Sequence, residues 1–199
     1  MKIINYINKF FLLMAIIIGS YFVVNGFNNI SIIPVVLFTI GLGILILASL
    51  LLLLFGVEIL ENKLVVVVSA LIPFSISLGL VYQFFNCYFY YYLMFLIIGL
   101  ISIIYTRYTS GKLASTISVA FFHGIAGLII FFMPFYLFIK MGTINFLYIS
   151  IAAFFIGIGG ILLIFVKAGK KFIPAELVYS LLPLILLILS VFFGLGLSK

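Results

Sequence analysis

The sequence has very few acidic residues and very few potential metal ligands. Its 199 residues include one His, one Cys, three Glu, no Asp and no Trp. A catalytic zinc site uses three protein ligands, a structural zinc site uses four, and an iron–sulfur cluster needs several thiolates. Because the chain cannot readily supply such ligand sets, we expect no catalytic residues, no metal site and no cofactor. One Cys also excludes an intramolecular disulfide.

The sequence also has too little charge for a soluble domain. Charged residues make up 7% of the chain and hydrophobic residues 68%, and the mean hydropathy is +1.57. Soluble domains are about a quarter charged, and disordered chains combine low hydrophobicity with high charge. The net charge of +7 would suggest nucleic acid in a soluble protein, but basic residues also flank membrane spans. We therefore expect a lipid bilayer as partner and no nucleic acid.

Long apolar segments fill most of the chain. A spanning helix needs about 20 predominantly apolar residues, and short polar breaks divide this sequence into seven such segments. We predict an all-α bundle of seven transmembrane helices in a single domain, residues 1–199. Lys2 and Lys9 precede the first segment as in a signal peptide, but no small-residue cleavage site follows, so we expect it to remain as a helix. The predicted spans are 9–25, 30–56, 64–82, 87–106, 113–139, 146–166 and 173–197.

The basic residues predict the orientation. With the N-terminus in the cytoplasm, seven spans place every Lys and Arg on the cytoplasmic side except Lys140 and Lys199. This distribution satisfies the positive-inside rule and predicts an N-in, C-out topology. All three Glu also fall inside, so the outer face has no acidic side chain. Since carboxylates lose their charge near pH 4, we predict a prokaryotic plasma membrane that faces an acidic medium; the alternative is a chance distribution of three residues.

Two polar residues are candidates for a function. His123 lies deep inside the fifth segment, where an ionisable residue usually has a function, such as proton relay or contact with a quinone or polar substrate. The alternative is a neutral His bonded to a neighbouring helix, with Gly124 and Gly127 allowing close approach. Glu176 follows Pro174 at the start of the seventh segment, which is typical of a helix N-terminus. Its alternative role is an entry point for protons or cations.

Small and aromatic residues suggest how the helices pack. Glycines in the second and sixth segments predict helix–helix contacts. The second segment is similar to the sixth, and the third, around Pro73, to the seventh, around Pro183. These similarities would fit a repeat of three helices, a linker helix and three helices, as some transporters have. Aromatic residues between the third and fourth segments predict an interfacial belt; the alternative is a platform for a quinone or a lipid headgroup. They are Tyr82, Phe84, Phe85, Tyr88, Tyr90, Tyr91 and Tyr92.

Two membrane families share limited features with the chain. Phe122-His123-Gly124 resembles a Phe-His-Gly in subunit III of the haem–copper oxidases, which has the same number of spans and the same orientation. The in-membrane Glu of that family has no counterpart here. The three–one–three arrangement resembles the sugar-transporting SWEET proteins, whose Pro-Gln motif is missing and whose N-terminus is outside. Neither resemblance assigns the chain to a family.

These features predict a role inside an assembly. With one buried ionisable residue and no cofactor ligands, the chain is poorly equipped to catalyse a reaction or couple ions alone. We expect a non-catalytic subunit of a larger membrane complex, respiratory or otherwise energy-transducing, that packs against a catalytic subunit and against lipid or quinone. It is then not itself an enzyme, although it can be part of an enzyme complex. The alternative is a small-solute transporter with a midplane site near His123, Pro73 and Pro183.

Overall fold

The structure is a computed structural model that describes residues 5–27, 30–167 and 174–198. These residues contain seven α helices that are long and apolar enough to cross a membrane, and they contain no strand. The prediction of an all-α chain with seven spans is confirmed, and the fold is that of a multi-pass membrane protein. The helices are α1 (Tyr6–Asn25), α2 (Ile32–Phe55), α3 (Lys63–Phe84), α4 (Phe89–Thr109), α5 (Lys112–Met141), α6 (Ile144–Lys167) and α7 (Ala175–Leu197).

The helices begin and end close to the predicted polar breaks because these residues cap them. The side-chain oxygen of Asn62 accepts hydrogen bonds from the backbone N–H groups of Leu64 and Val65 at the start of α3. Gly26, Gly56 and Gly142 follow α1, α2 and α5 with φ near +70°, a conformation that other residues rarely adopt. The main differences are that α1 begins at Tyr6 rather than at residue 9 and that α4 continues to Thr109 rather than ending at residue 106. The predicted start of the seventh span, residue 173, lies outside the described residues.

Six of the helices form a closed ring. Each helix contacts the next in the order α1, α2, α3, α5, α6, α7, and α7 contacts α1 again. α4 packs outside this ring against α3 and α5. The ring order is unchanged when α1, α2 and α3 are exchanged with α5, α6 and α7, as a three–one–three repeat would require. The contacts are less symmetric, because α2 also contacts α7 across the ring and α3 has no comparable contact with α6. We call the end at which α1 begins the N-terminal end of the bundle, and the end at which α7 finishes the C-terminal end.

The interior of the ring is closely packed with apolar side chains. The largest cluster joins α2, α3, α5, α6 and α7 through residues such as Leu45, Ile76, Ile149 and Phe193. α3 is the most enclosed helix, and every residue from 72 to 81 is buried around its whole circumference. Because lipid is as apolar as these side chains, association rests on close packing rather than on a hydrophobic force.

The glycines predicted to form helix contacts divide into two groups. A side chain at Gly41 would meet Ile76 and Ser75 on α3, and one at Gly159 would meet Ile185 on α7. These two positions are close contacts, as predicted. Gly43, Gly157 and Gly160 have nothing within 4 Å of the position a Cβ would take, so the prediction is wrong for them. Residues two apart point about 200° apart on a helix, so Gly41 and Gly43 cannot face one neighbour.

Candidate functional site

His123 lies near the middle of α5, about 17 Å along the helix from Lys112 at about 1.5 Å per residue. Its Nδ1 atom is buried, and no hydrogen-bond partner for it exists among the described residues. The hydrogen bond to a neighbouring helix that the alternative interpretation requires is therefore not made by Nδ1. Buried polar atoms in proteins are nearly always hydrogen-bonded, so an unpartnered nitrogen in the apolar zone needs an explanation.

The C-terminal half of α5 is in direct contact with the N-terminal half of α6, in the part of the bundle nearer its C-terminal end. The hydroxyl group of Ser150 on α6 donates a hydrogen bond of 2.9 Å to the backbone carbonyl of Phe131 on α5. The aromatic rings of Phe131 and Phe154 lie 6.4 Å apart, centroid to centroid. Phe131 and Ser150 therefore mark the faces that the two helices turn toward each other.

Two turns closer to the N-terminal end, the same faces are open. Gly124 precedes Phe131 by seven residues and Gly157 follows Ser150 by seven, so each shares the face of its contacting residue. Both glycines are exposed, and nothing lies within 4 Å of the position of a Cβ at either one. The described chain therefore leaves open space beside both glycines, on the faces by which α5 and α6 meet nearer the C-terminal end.

We call this space the α5/α6 cleft and define it by Gly124 and Gly127 on α5 and Gly157 and Gly160 on α6. A Cβ at any of these four glycines would have no neighbour within 4 Å. On the helical wheel of α5, His123 falls between Gly127 and the buried Ile130. The imidazole is thus at the inner edge of the cleft, where the open space meets the packed core.

Glu176 is not part of this cleft. It is exposed in the first turn of α7, directly after Pro174, which is the helix N-terminus that the sequence predicts. In the ring, α6 separates α7 from α5, so the structure does not bring Glu176 and His123 together. The two candidate residues therefore have no common site.

Pro73 and Pro183 are buried inside α3 and α7 at a depth similar to that of His123. They follow the first residue of their helices by ten and eight positions, which corresponds to about 15 and 12 Å. However, α3 and α7 occupy opposite positions in the ring. α5 packs against α3 and has no comparable contact with α7. The residues of the predicted transporter site share a level in the bundle, although they do not line one described cavity.

The polar side chains in the interior mostly bond to protein groups, and sequence reasoning missed these bonds. The Tyr92 hydroxyl donates to the Ser77 hydroxyl at 2.8 Å, and Ser77 in turn donates to the carbonyl of Pro73 at 2.6 Å. Arg107 at the N-terminal end donates to the carbonyl of Glu61 at 3.2 Å and to the hydroxyl of Ser115 at 3.4 Å. In the sequence, the only sign of the bonds between Tyr92, Ser77 and Pro73 is the Ser-x-Ser pattern that follows Pro73.

No group of three or more His, Cys, Asp or Glu side chains gathers anywhere in the described part of the chain. The three Glu and the His belong to separate regions, with Glu58 and Glu61 in a 3₁₀ turn after α2. The cleft therefore offers one imidazole and a surface of glycine backbone, which suits the docking of a helix better than it suits the coordination of an ion.

Seven apolar helices define the class of this chain as a multi-pass membrane protein. Comparison with protein-family models, with curated proteins and with solved structures finds no match.

Proposed function

We propose that the chain is a non-catalytic subunit of a larger membrane complex, respiratory or otherwise energy-transducing, and that the α5/α6 cleft receives a transmembrane helix of the partner. The observation that carries this proposal is the open cleft in the apolar zone. A bundle that is complete by itself would close such a gap, because close contact between helices is what stabilises association in lipid. Glycines at the base of the cleft allow the backbone of a partner helix to approach closely.

A crosslinking experiment tests this docking site. A photoreactive amino acid at Gly157 should form a crosslink to one other membrane protein in native membranes, because its side chain would enter the occupied cleft. The matched control is Gly43, which is also open to its surroundings but lies on α2. The proposal fails when both positions yield only lipid adducts, or when both yield the same mixture of proteins.

The second candidate function is a small-solute transporter with a midplane site near His123. The ring order supports it, because parallel repeats joined by a linker helix occur in transporters that bind substrate between the repeats. The packed apolar interior and the bonded serines favour the subunit role instead. The variant His123→Ala separates the two functions: it should abolish solute uptake in a transporter, and it should leave the composition of a complex unchanged.

The proposed topology is N-in and C-out, supported by the distribution of basic residues. Cys87 is the only Cys of the sequence, and it is exposed in the turn between α3 and α4. A membrane-impermeant maleimide should therefore label it from outside intact cells. In a Cys87→Ser background, Gly111→Cys in the turn between α4 and α5 should be labelled only after the cells are opened. Labelling of both positions from the same side would contradict the topology.

We also propose that the membrane is a prokaryotic plasma membrane that faces an acidic medium. The support is that the described part of the C-terminal end presents Lys140 but no carboxylate side chain. The charge of the described side chains at that end should therefore not change as the external pH falls. In proteoliposomes with only the outer face titrated from neutral to about pH 3, the melting temperature should stay constant. A large decrease would show that groups on this face titrate and would contradict the proposal.

A further inference from the structure

A second open space lies at the C-terminal end, between α3, α4 and α5. It is a groove with a volume of about 540 Å³, lined by apolar and aromatic side chains that include Val81, Leu128 and Phe132. α4 and α5 are in contact nearer the N-terminal end, where the hydroxyl groups of Ser102 and Ser118 are 3.0 Å apart. Beyond that contact the two helices leave room between them, and α3 forms the floor.

Two exposed Tyr rings line one part of this groove, and a positive charge lies beside one of them. Tyr88 and Tyr136 line the groove and are 62% and 51% exposed. Lys140 lies one turn after Tyr136, and its Nζ atom is 5.9 Å from the centroid of that ring. Glu58, Glu61 and Glu176 are all at the N-terminal end, so no acidic side chain of the sequence neutralises Lys140.

This combination selects for one type of ligand. The apolar walls lie in the part of the bundle that spans the hydrocarbon zone, and the Tyr and Lys side chains lie where headgroups begin. An acyl chain can pack against the apolar walls, and a phosphate group can bind the Lys and Tyr side chains. A quinone would fill the walls but carries no negative charge for Lys140.

We propose that the groove is a binding site for an anionic glycerophospholipid, with an acyl chain along α5 and its phosphate bound by Lys140, Tyr88 and Tyr136. This site requires only that the chain spans a membrane. Its mouth lies toward the C-terminal end, and it occupies a different face of α5 from the glycines of the α5/α6 cleft. Its failure would therefore leave the proposal about a partner subunit untouched, and the reverse also holds.

The test compares two lipids with the same acyl chains and different headgroups, one anionic and one zwitterionic. The purified full chain is mixed with phosphatidylglycerol or phosphatidylcholine of identical acyl chains, and native mass spectrometry measures the fraction of protein with one bound lipid. A Lys near anionic lipid contributes about fivefold in affinity, so phosphatidylglycerol should bind about fivefold more tightly. Lys140→Gln should remove this preference.

Two further variants locate the bound lipid. Lys9→Gln is the matched control, since the Nζ atom of Lys9 lies 6.0 Å from the centroid of the Tyr6 ring at the other end of the bundle, and it should keep the preference. Leu128→Trp should fill the groove and weaken the binding of both lipids. Leu128 and Lys140 are exposed, so neither substitution disturbs the core.

Three outcomes would overturn the site. The first is an unchanged preference in Lys140→Gln, and the second is an equal loss in Lys9→Gln. The third is a neutral quinone that displaces the lipid from the wild-type protein and from Lys140→Gln equally, which would assign the groove to a quinone.

Discussion

Replacing Gly196 by Leu should destabilise the protein by about 3 kcal/mol or more. A Cβ at this position would lie 2.9 Å from the carbonyl oxygen of Asn145 and 3.1 Å from the backbone nitrogen of Ile149, both on α6. Because these are backbone atoms, they cannot rotate away as a side chain would. α6 would have to move off α7, and the 2.7 Å hydrogen bond from the Asn145 side chain to the Leu195 carbonyl would be lost.

The measurement is the free energy of unfolding in mixed micelles, with Gly43→Leu as the matched control. Gly43 is also a helical glycine, but nothing lies within 4 Å of the position of its Cβ. Since Gly is about 1 kcal/mol less favourable than Ala inside a helix, this control should be as stable as the wild type or slightly more stable. Equal stability of the two variants would show that α6 and α7 are not in the described contact.

Filling the α5/α6 cleft should release the proposed partner without unfolding the chain. In the double variant Gly124→Leu and Gly157→Leu, the new side chains would occupy the space proposed for the partner helix. They should be accommodated in the isolated chain without moving the backbone, because a Cβ at either position has nothing within 4 Å. Two overpacked positions at a contact should reduce the affinity for the partner roughly hundredfold.

The readouts are the composition of the complex purified from native membranes and the melting temperature of the purified chain. Gly43→Leu should retain the partner in full. A double variant that still purifies with its partner in the wild-type ratio would show that the cleft is not the docking site. A double variant with a lower melting temperature than Gly43→Leu would show that the cleft closes within the chain itself.

The sequence predicts the number of spans well because each apolar segment is long enough to cross the bilayer and polar residues cap its ends. It does not predict which face of a helix meets which neighbour. Gly41 and Gly43 look alike in the sequence, but one packs against α3 and the other is open. In lipid the outward and inward faces of a helix are equally apolar, so no periodic pattern separates them.

The candidate site was predicted only in part, for a related reason. The sequence identifies His123 because an ionisable residue inside a span is rare. The cleft beside it depends on how α5 and α6 pack, through contacts such as that of Ser150 with Phe131. Those contacts join residues 19 positions apart along the chain, and neither residue type identifies the other.

The composition of the native particle tests the central proposal most directly. The wild-type chain, extracted with its surrounding lipid and without detergent exchange, should run as one particle that contains a second membrane protein in a fixed ratio. The same particle from the Gly124→Leu and Gly157→Leu variant should lack that protein. A wild-type particle that contains only copies of this chain would contradict the proposal that the protein is a subunit of a larger complex.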